Sequence, residues 1–176
     1  MPFSMPLASL PALKFGLKAL SAILDKAEAY AAAKKIDPSV LLNTRLAPDM
    51  FSLLMQVQIA TDLAKTGASR LAGVEPPRYE DTEKTLDELR ARVAKTLSDV
   101  ESVDRAQIDA SADRMLTFPL GPKNTGEMKG EDYLNHFLLP NFYFHLTVAY
   151  AILRHCGVEL GKTDYLGGIP MKISPR

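Results

Sequence analysis

The stretch that decides the fold is residues 130–157, GEDYLNHFLLPNFYFHLTVAYAILRHCG, which contains all three histidines and the only cysteine of the chain. At about 100° per residue on a helix, His145 lies in the middle of an apolar stripe. The stripe consists of Leu134, Leu138, Asn141, Phe142, Val148, Ala149, Ile152 and Cys156. The opposite side carries Leu139, Tyr143, Leu146 and Tyr150. Because a helix that is apolar nearly all round is buried on more than one side, we expect a central bundle helix that also contacts something beyond its own bundle.

Three more helical patterns precede this stretch. In the first, apolar residues recur at alternating steps of three and four, which is typical of a bundle seam: Leu10, Leu13, Leu17, Leu20, Leu24, Ala27 and Ala31. The second pattern begins near Pro48 and ends at Gly73, before two prolines that prevent its continuation. The third has an apolar stripe and a strongly charged outer face. We predict long helices at residues 7–34, 48–73, 82–102 and 130–156.

The connections predict the rest of the architecture. Asp37-Pro38 is typical of an N-cap with proline at the first helical position, which opens a short turn over residues 39–43. A small hairpin is predicted from residues 114–119 and 127–129, around a segment rich in turn residues. The pattern therefore predicts an all-α fold, an up-down four-helix bundle over residues 1–176 as one domain, with a crossover at the hairpin before the last helix.

Composition excludes several classes of partner and location. The 21 basic residues balance the 21 acidic ones, so charge does not favour a nucleic acid or a membrane surface as partner. A single cysteine excludes an internal disulfide and fits a reducing compartment. The N-terminal segment is a poor signal peptide, and we expect no apolar run long enough to span a membrane. We expect a cytoplasmic, soluble protein.

Polar side chains within apolar helix faces are the candidates for chemistry, since no phosphate-binding glycine loop, nucleophile elbow or paired-cysteine zinc motif is found. Asn141 and His145 are four residues apart and share one face. Gln56 and Gln58 flank the apolar stripe of the second helix. We predict that these four residues line a polar pocket and that His145 is buried against a polar partner. Mutual hydrogen bonding in the core is the alternative, because buried polar groups are normally satisfied.

Two long segments carry a resemblance to a known family. Residues 139–167, LPNFYFHLTVAYAILRHCGVELGKTDYLG, and residues 24–65, LDKAEAYAAAKKIDPSVLLNTRLAPDMFSLLMQVQIATDLAK, resemble a family of unknown function within the DinB/YfiT-like superfamily. The resemblance implies a four-helix bundle, often dimeric. It also implies, in many members, a divalent metal held by three histidines, one on the second helix and two spaced four apart on the last. Some members are thiol-dependent transferases.

The chain departs from that pattern at the metal ligands. Its second helix has no histidine, Gln56 or Gln58 takes that region, and Asn141 stands four residues before His145. Zinc and nickel prefer imidazole, thiolate and carboxylate donors, so the sequence predicts a degenerate metal site with His145 as its only strong ligand. Two hypotheses remain: a ligand-binding or non-catalytic bundle that takes a small molecule, and a metal- and thiol-dependent transferase that uses His145 as base or ligand.

The second apolar side of the last helix predicts an assembly. Exposure of Leu139, Tyr143, Leu146 and Tyr150 would leave an aromatic patch that soluble monomers seldom tolerate. Either the C-terminal tail covers this side through Tyr165 and Leu166, or a second copy does so across a two-fold axis. Because the tail has few apolar residues, we expect it to cover only part of this side, and we predict a symmetric homodimer with these four residues at its interface.

Overall fold

The computed structural model describes residues 4–168, and four long helices dominate it. They are α1 (Met5–Lys34), α3 (Leu53–Ala72), α4 (Leu86–Ser102) and α7 (Leu139–His155). The short helices are α2 (Pro38–Asn43), α5 (Arg105–Asp109), α6 (Gly130–Asp132) and α8 (Lys162–Leu166). A π-helical segment, Tyr133–Leu138, joins α6 to α7. Strands β1 (Met115–Leu120) and β2 (Asn124–Lys129) form an antiparallel hairpin. The mainly helical fold and the hairpin confirm the coarse prediction.

The long helices form a ring in which α1 and α3 each pack against both α4 and α7. Accordingly α1 lies across the core from α3, and α4 lies across from α7. The chain therefore crosses the bundle twice, once between α1 and α3 through α2, and once between α4 and α7 through the hairpin. The second crossing is the one that the sequence predicts, whereas the first is additional.

Helices α3 and α4 run in the same direction, which corrects the predicted up-down order. Thr61 of α3 contacts Arg92 of α4, and the later residues Ala72 and Ser102 line a common cavity. The connection, residues 74–85, is extended and runs back beside α4: Tyr79 bonds to Asp99, and further along the chain Glu83 bonds to Arg92. Its 12 residues reach up to about 40 Å, more than the roughly 30 Å of a 20-residue helix.

Two long helices begin later than predicted, because the residues before them form hydrogen bonds of a loop or a helix cap instead of a further helical turn. Before α3, the Leu53 amide donates to the Thr44 carbonyl at 3.0 Å, so residues 44–52 form a closed loop. Before α4, Thr85 and Glu88 form a capping box in which each side chain bonds to the other's backbone amide. The Thr-x-x-Glu spacing is visible in the sequence and defines the start of α4 more sharply than the apolar stripe does.

The apolar stripe of α1 lies in the common core, with Leu13, Leu17, Leu20 and Leu24 fully buried. By length and composition α1 could cross a membrane, contrary to the sequence expectation that no such segment exists. Half of its most apolar window is buried inside the protein. The core helix of a soluble protein can have the same length and apolar composition.

The helix that contains residues 130–157 is interrupted by its π-helical segment, just before Pro140 in the first turn of α7. Proline has no amide hydrogen to donate to the preceding turn. The Asn141 side chain, next along the helix, donates to the Phe137 carbonyl at 2.6 Å. The ring of Phe118 from β1 packs against those of Tyr133 and Phe137, so the hairpin is supported by the bundle, as a lone hairpin must be.

The second apolar side of α7 is partly covered from within, which corrects the predicted interface at Leu146. Leu146 is 1% exposed and lies beside Gly16 of α1. Tyr165 of α8 packs edge-on against Tyr150 with ring centroids 5.7 Å apart, and its hydroxyl lies 2.9 Å from that of Thr147. Leu139, Tyr143 and Tyr150 are half-buried. The C-terminal segment therefore covers part of this side through Tyr165, as the sequence predicts.

Candidate functional site

A hydrogen bond between α3 and α7 forms the candidate site. His145 Nδ1 lies 2.7 Å from Gln56 Oε1. Gln56 is 1% exposed, and its Nε2 donates to the Phe51 carbonyl at 3.3 Å. The closed loop before α3 holds that carbonyl in place, while the antiparallel packing of α3 on α7 brings the two side chains together. The expected polar partner of His145 on the second long helix is thus Gln56.

The imidazole of His145 is half-buried and meets the exposed Phe144 ring edge-on, with centroids 5.2 Å apart. Burial lowers its pKa below the ordinary value of 6.5, because a less polar environment disfavours the charged form. The uncharged ring is therefore the form expected at neutral pH.

The other two residues of the predicted pocket bond to partners other than His145 and Gln56. The Asn141 amide donates to the Phe137 carbonyl of its own helix, and Gln58 donates to Glu83 Oε2 at 2.8 Å. Gln56 and Gln58 are about 200° apart on a helix, so they face different neighbours. A cavity of about 490 Å³ lies between the end of α1 and the turn after α7, and neither Gln56 nor His145 lines it.

The donor groups at this site do not fit the three-histidine metal centre that the resemblance implies. One imidazole and one amide oxygen face each other, and both amide groups, Gln56 and Asn141, already bond to backbone carbonyls. His136 and His155 are exposed, and His136 pairs only loosely with Asp132, at 3.9 Å. Within residues 4–168, no three His, Cys, Asp or Glu side chains cluster as metal ligands would.

A buried arginine forms a polar cluster between α3, α4 and the connection that joins them. The sequence patterns described above do not predict this cluster. Arg92 of α4 is 4% exposed. Its guanidinium donates to Thr61 at 2.7 Å, to Asp62 at 2.8 Å and to Glu83 at 2.9 Å. The charge pattern of α4 predicts an outward-facing position for its charged residues. Arg92 lies three residues after the buried Leu89, at the edge of the apolar stripe, and this spacing is the signal in the sequence that points to its burial.

Within this cluster, the charged forms of Glu83 and Arg92 stabilise each other. Burial alone would raise the pKa of Glu83, but hydrogen bonds from Gln58 and Arg92 outweigh it and hold that pKa below its usual value. Burial and the bond to Asp99 together raise the pKa of Tyr79. The Arg92 guanidinium also lies over the Tyr79 ring, 5.1 Å from its centroid. The contacts of this cluster hold the extended residues 74–85 along α4.

Comparison with solved structures identifies the class of fold. The chain superposes on the crystal structure of a DinB family member protein from Shewanella denitrificans with a TM-score of 0.86 and 44% sequence identity, over 95% of this chain and 94% of that one. The sequence model of a domain of unknown function, DUF1993, matches residues 7–166. The chain belongs to this family, which confirms the resemblance. No curated protein matches the chain.

Proposed function

We propose that the protein is a ligand-binding or non-catalytic relative of DinB-like proteins, with a degenerate metal site at Gln56 and His145. The observation that supports this proposal is the 2.7 Å hydrogen bond between their side chains. Gln56 occupies the second long helix and His145 the last, which are the two helices that supply the metal ligands in the resemblance. Here a direct contact between the two side chains replaces a shared ion.

The chemistry of the pair supports the same proposal. An amide oxygen is a weak ligand for zinc or nickel, and the Gln56 amide is engaged at both ends, by Phe51 and by His145. Asn141, four residues before His145, stabilises its own helix. A metal that used the two amide groups would have to displace these hydrogen bonds, and His145 would be its only strong ligand.

Metal analysis of protein purified without an affinity tag tests the proposal. We expect zinc and nickel far below one equivalent, unchanged in His145→Ala. Near-stoichiometric metal that is lost in His145→Ala would contradict it and would favour the alternative, a metal- and thiol-dependent transferase.

The reverse experiment restores the missing imidazoles. The double variant Gln56→His, Asn141→His places three histidines on α3 and α7, and we expect it to bind about one equivalent of zinc. The matched control is Gln58→His, Asn141→His, because Gln58 faces Glu83 instead of His145. Equal zinc binding by the two double variants would show that the site lies elsewhere.

Assembly and location remain proposals of the same kind. We propose a homodimer whose interface contains Leu139, Tyr143 and Tyr150. These three side chains are only half-buried, although α8 packs beside them. The balanced charge supports neither a nucleic acid nor a membrane surface as partner. A cytoplasmic location is supported by the single, unpaired cysteine and by the burial of much of α1 in the core.

A further inference from the structure

The orientation of the Gln56 amide is decided by the backbone. One end of the amide lies 3.3 Å from the Phe51 carbonyl oxygen, which can only accept a hydrogen bond. The nitrogen must therefore face Phe51, and the oxygen faces His145. Because Gln56 is 1% exposed, turning the amide over would place two oxygens together with little water to separate them and would leave a buried polar group unsatisfied.

The amide oxygen in turn decides which ring nitrogen of His145 carries the proton. Gln56 Oε1 has no hydrogen to give, so the 2.7 Å contact requires that Nδ1 donates. In the neutral ring the other nitrogen, Nε2, is then an acceptor. Within residues 4–168, Nε2 has no hydrogen-bond partner. The atom is not fully buried, so its lone pair keeps some contact with solvent.

We infer that Gln56 is a positioning residue that holds His145 in the Nδ1–H form and presents Nε2 as an open acceptor. This inference rests on the proposed function and narrows its ligand class. A ligand bound at this ring must offer a hydrogen-bond donor, such as a hydroxyl, a thiol or a protonated amine. A ligand that offers only acceptors there, such as a carboxylate, finds no proton on Nε2.

Nitrogen-15 NMR of the imidazoles in metal-free protein tests the inference, because long-range proton–nitrogen spectra distinguish a protonated ring nitrogen from a bare one. The chain has three histidines, so His136→Gln and His155→Gln assign the signals. Above the His145 pKa, we expect the Nδ1–H form to exceed the Nε2–H form at least tenfold in the wild type. A predominant Nε2–H form would overturn the inference.

Variants of the glutamine separate positioning from a general structural role. In Gln56→Leu, which removes the acceptor, we expect the ring to change mainly to the Nε2–H form. Gln58→Leu is the matched control and should leave the ring unchanged. Persistence of Nδ1–H in a folded Gln56→Leu protein would refute the role of Gln56. If that variant does not fold, the wild-type spectrum decides, because a predominant Nε2–H form there overturns the inference and a predominant Nδ1–H form supports it.

The outcomes distinguish this inference from the proposed function. Protein that shows the Nδ1–H form when metal-free, yet takes up a full equivalent of zinc, would contradict the degenerate site and leave the tautomer assignment standing. The Nε2–H form in protein that binds no metal would overturn the tautomer assignment alone.

Discussion

Replacing Arg92 with methionine tests the structural role of the buried cluster. Methionine keeps the length and apolar stem of the side chain but removes the guanidinium. The donors to Thr61, Asp62 and Glu83 are lost together. Removing one partner of a buried ion pair leaves the other charge uncompensated, which typically costs 3–5 kcal/mol.

The exposure of each partner sets the expected size of the effect. The Asp62 and Asp81 side chains are 41% and 58% exposed, so water can solvate them once Arg92 is gone. Glu83 is 12% exposed and keeps only the Gln58 hydrogen bond. One poorly solvated carboxylate and one buried hydroxyl place the expected loss of unfolding free energy at or below the low end of that range, at about 2–3 kcal/mol.

Urea unfolding at pH 7 measures this loss as a lower midpoint at unchanged slope. The matched control is Arg90→Met, two residues away on the same helix, where a 26% exposed guanidinium pairs with Asp25, Glu28 and Asp87. Exposed pairs contribute about 0–1 kcal/mol, so we expect a far smaller loss there. Equal losses in the two variants would refute the reasoning.

The pH dependence adds a second check on the Arg92 cluster. The pKa of Glu83 is depressed in the folded state, so its contribution to stability is present above the unfolded value, near 4.5, and is lost as the pH falls through the folded value. The difference in stability between wild type and Arg92→Met should therefore be largest near neutral pH and narrow below about pH 4.5. A constant difference down to pH 3 would contradict the assignment.

Two further predictions concern packing and assembly. A Cβ at Gly67 would overlap the Leu138 side chain, so Gly67→Ala should lose about 1–3 kcal/mol of unfolding free energy from overpacking. In urea unfolding, the double variant with Leu138→Ala should lose less than the sum of the two single losses. Strict additivity would contradict the contact. In sedimentation equilibrium at micromolar concentration, we expect a dimer for the wild type and a folded monomer for Tyr143→Glu, whereas a monomeric wild type would exclude the dimer.

The order of helical segments could be predicted because local physical chemistry decides it. The leucine repeat of α1 has one apolar side whatever it packs against, and Gly73 adopts the left-handed conformation that ends α3. The turn residues at 121–126 mark the hairpin for the same reason, although β2 begins three residues earlier than predicted, at Asn124.

The partners of the polar side chains are decided by tertiary structure. The sequence predicts that Gln56, Gln58, Asn141 and His145 belong to two helices, but not which neighbour each one faces. The parallel course of α3 and α4 depends on the extended connection that Arg92 holds in place, and it directs Gln58 toward Glu83. Only the packing of α3 against α7 brings Gln56 to His145. Gln56 and His145 are 89 positions apart, and their hydrogen bond cannot be predicted from the apolar pattern of either helix. Each side chain fits its own helix whether or not the other one is nearby.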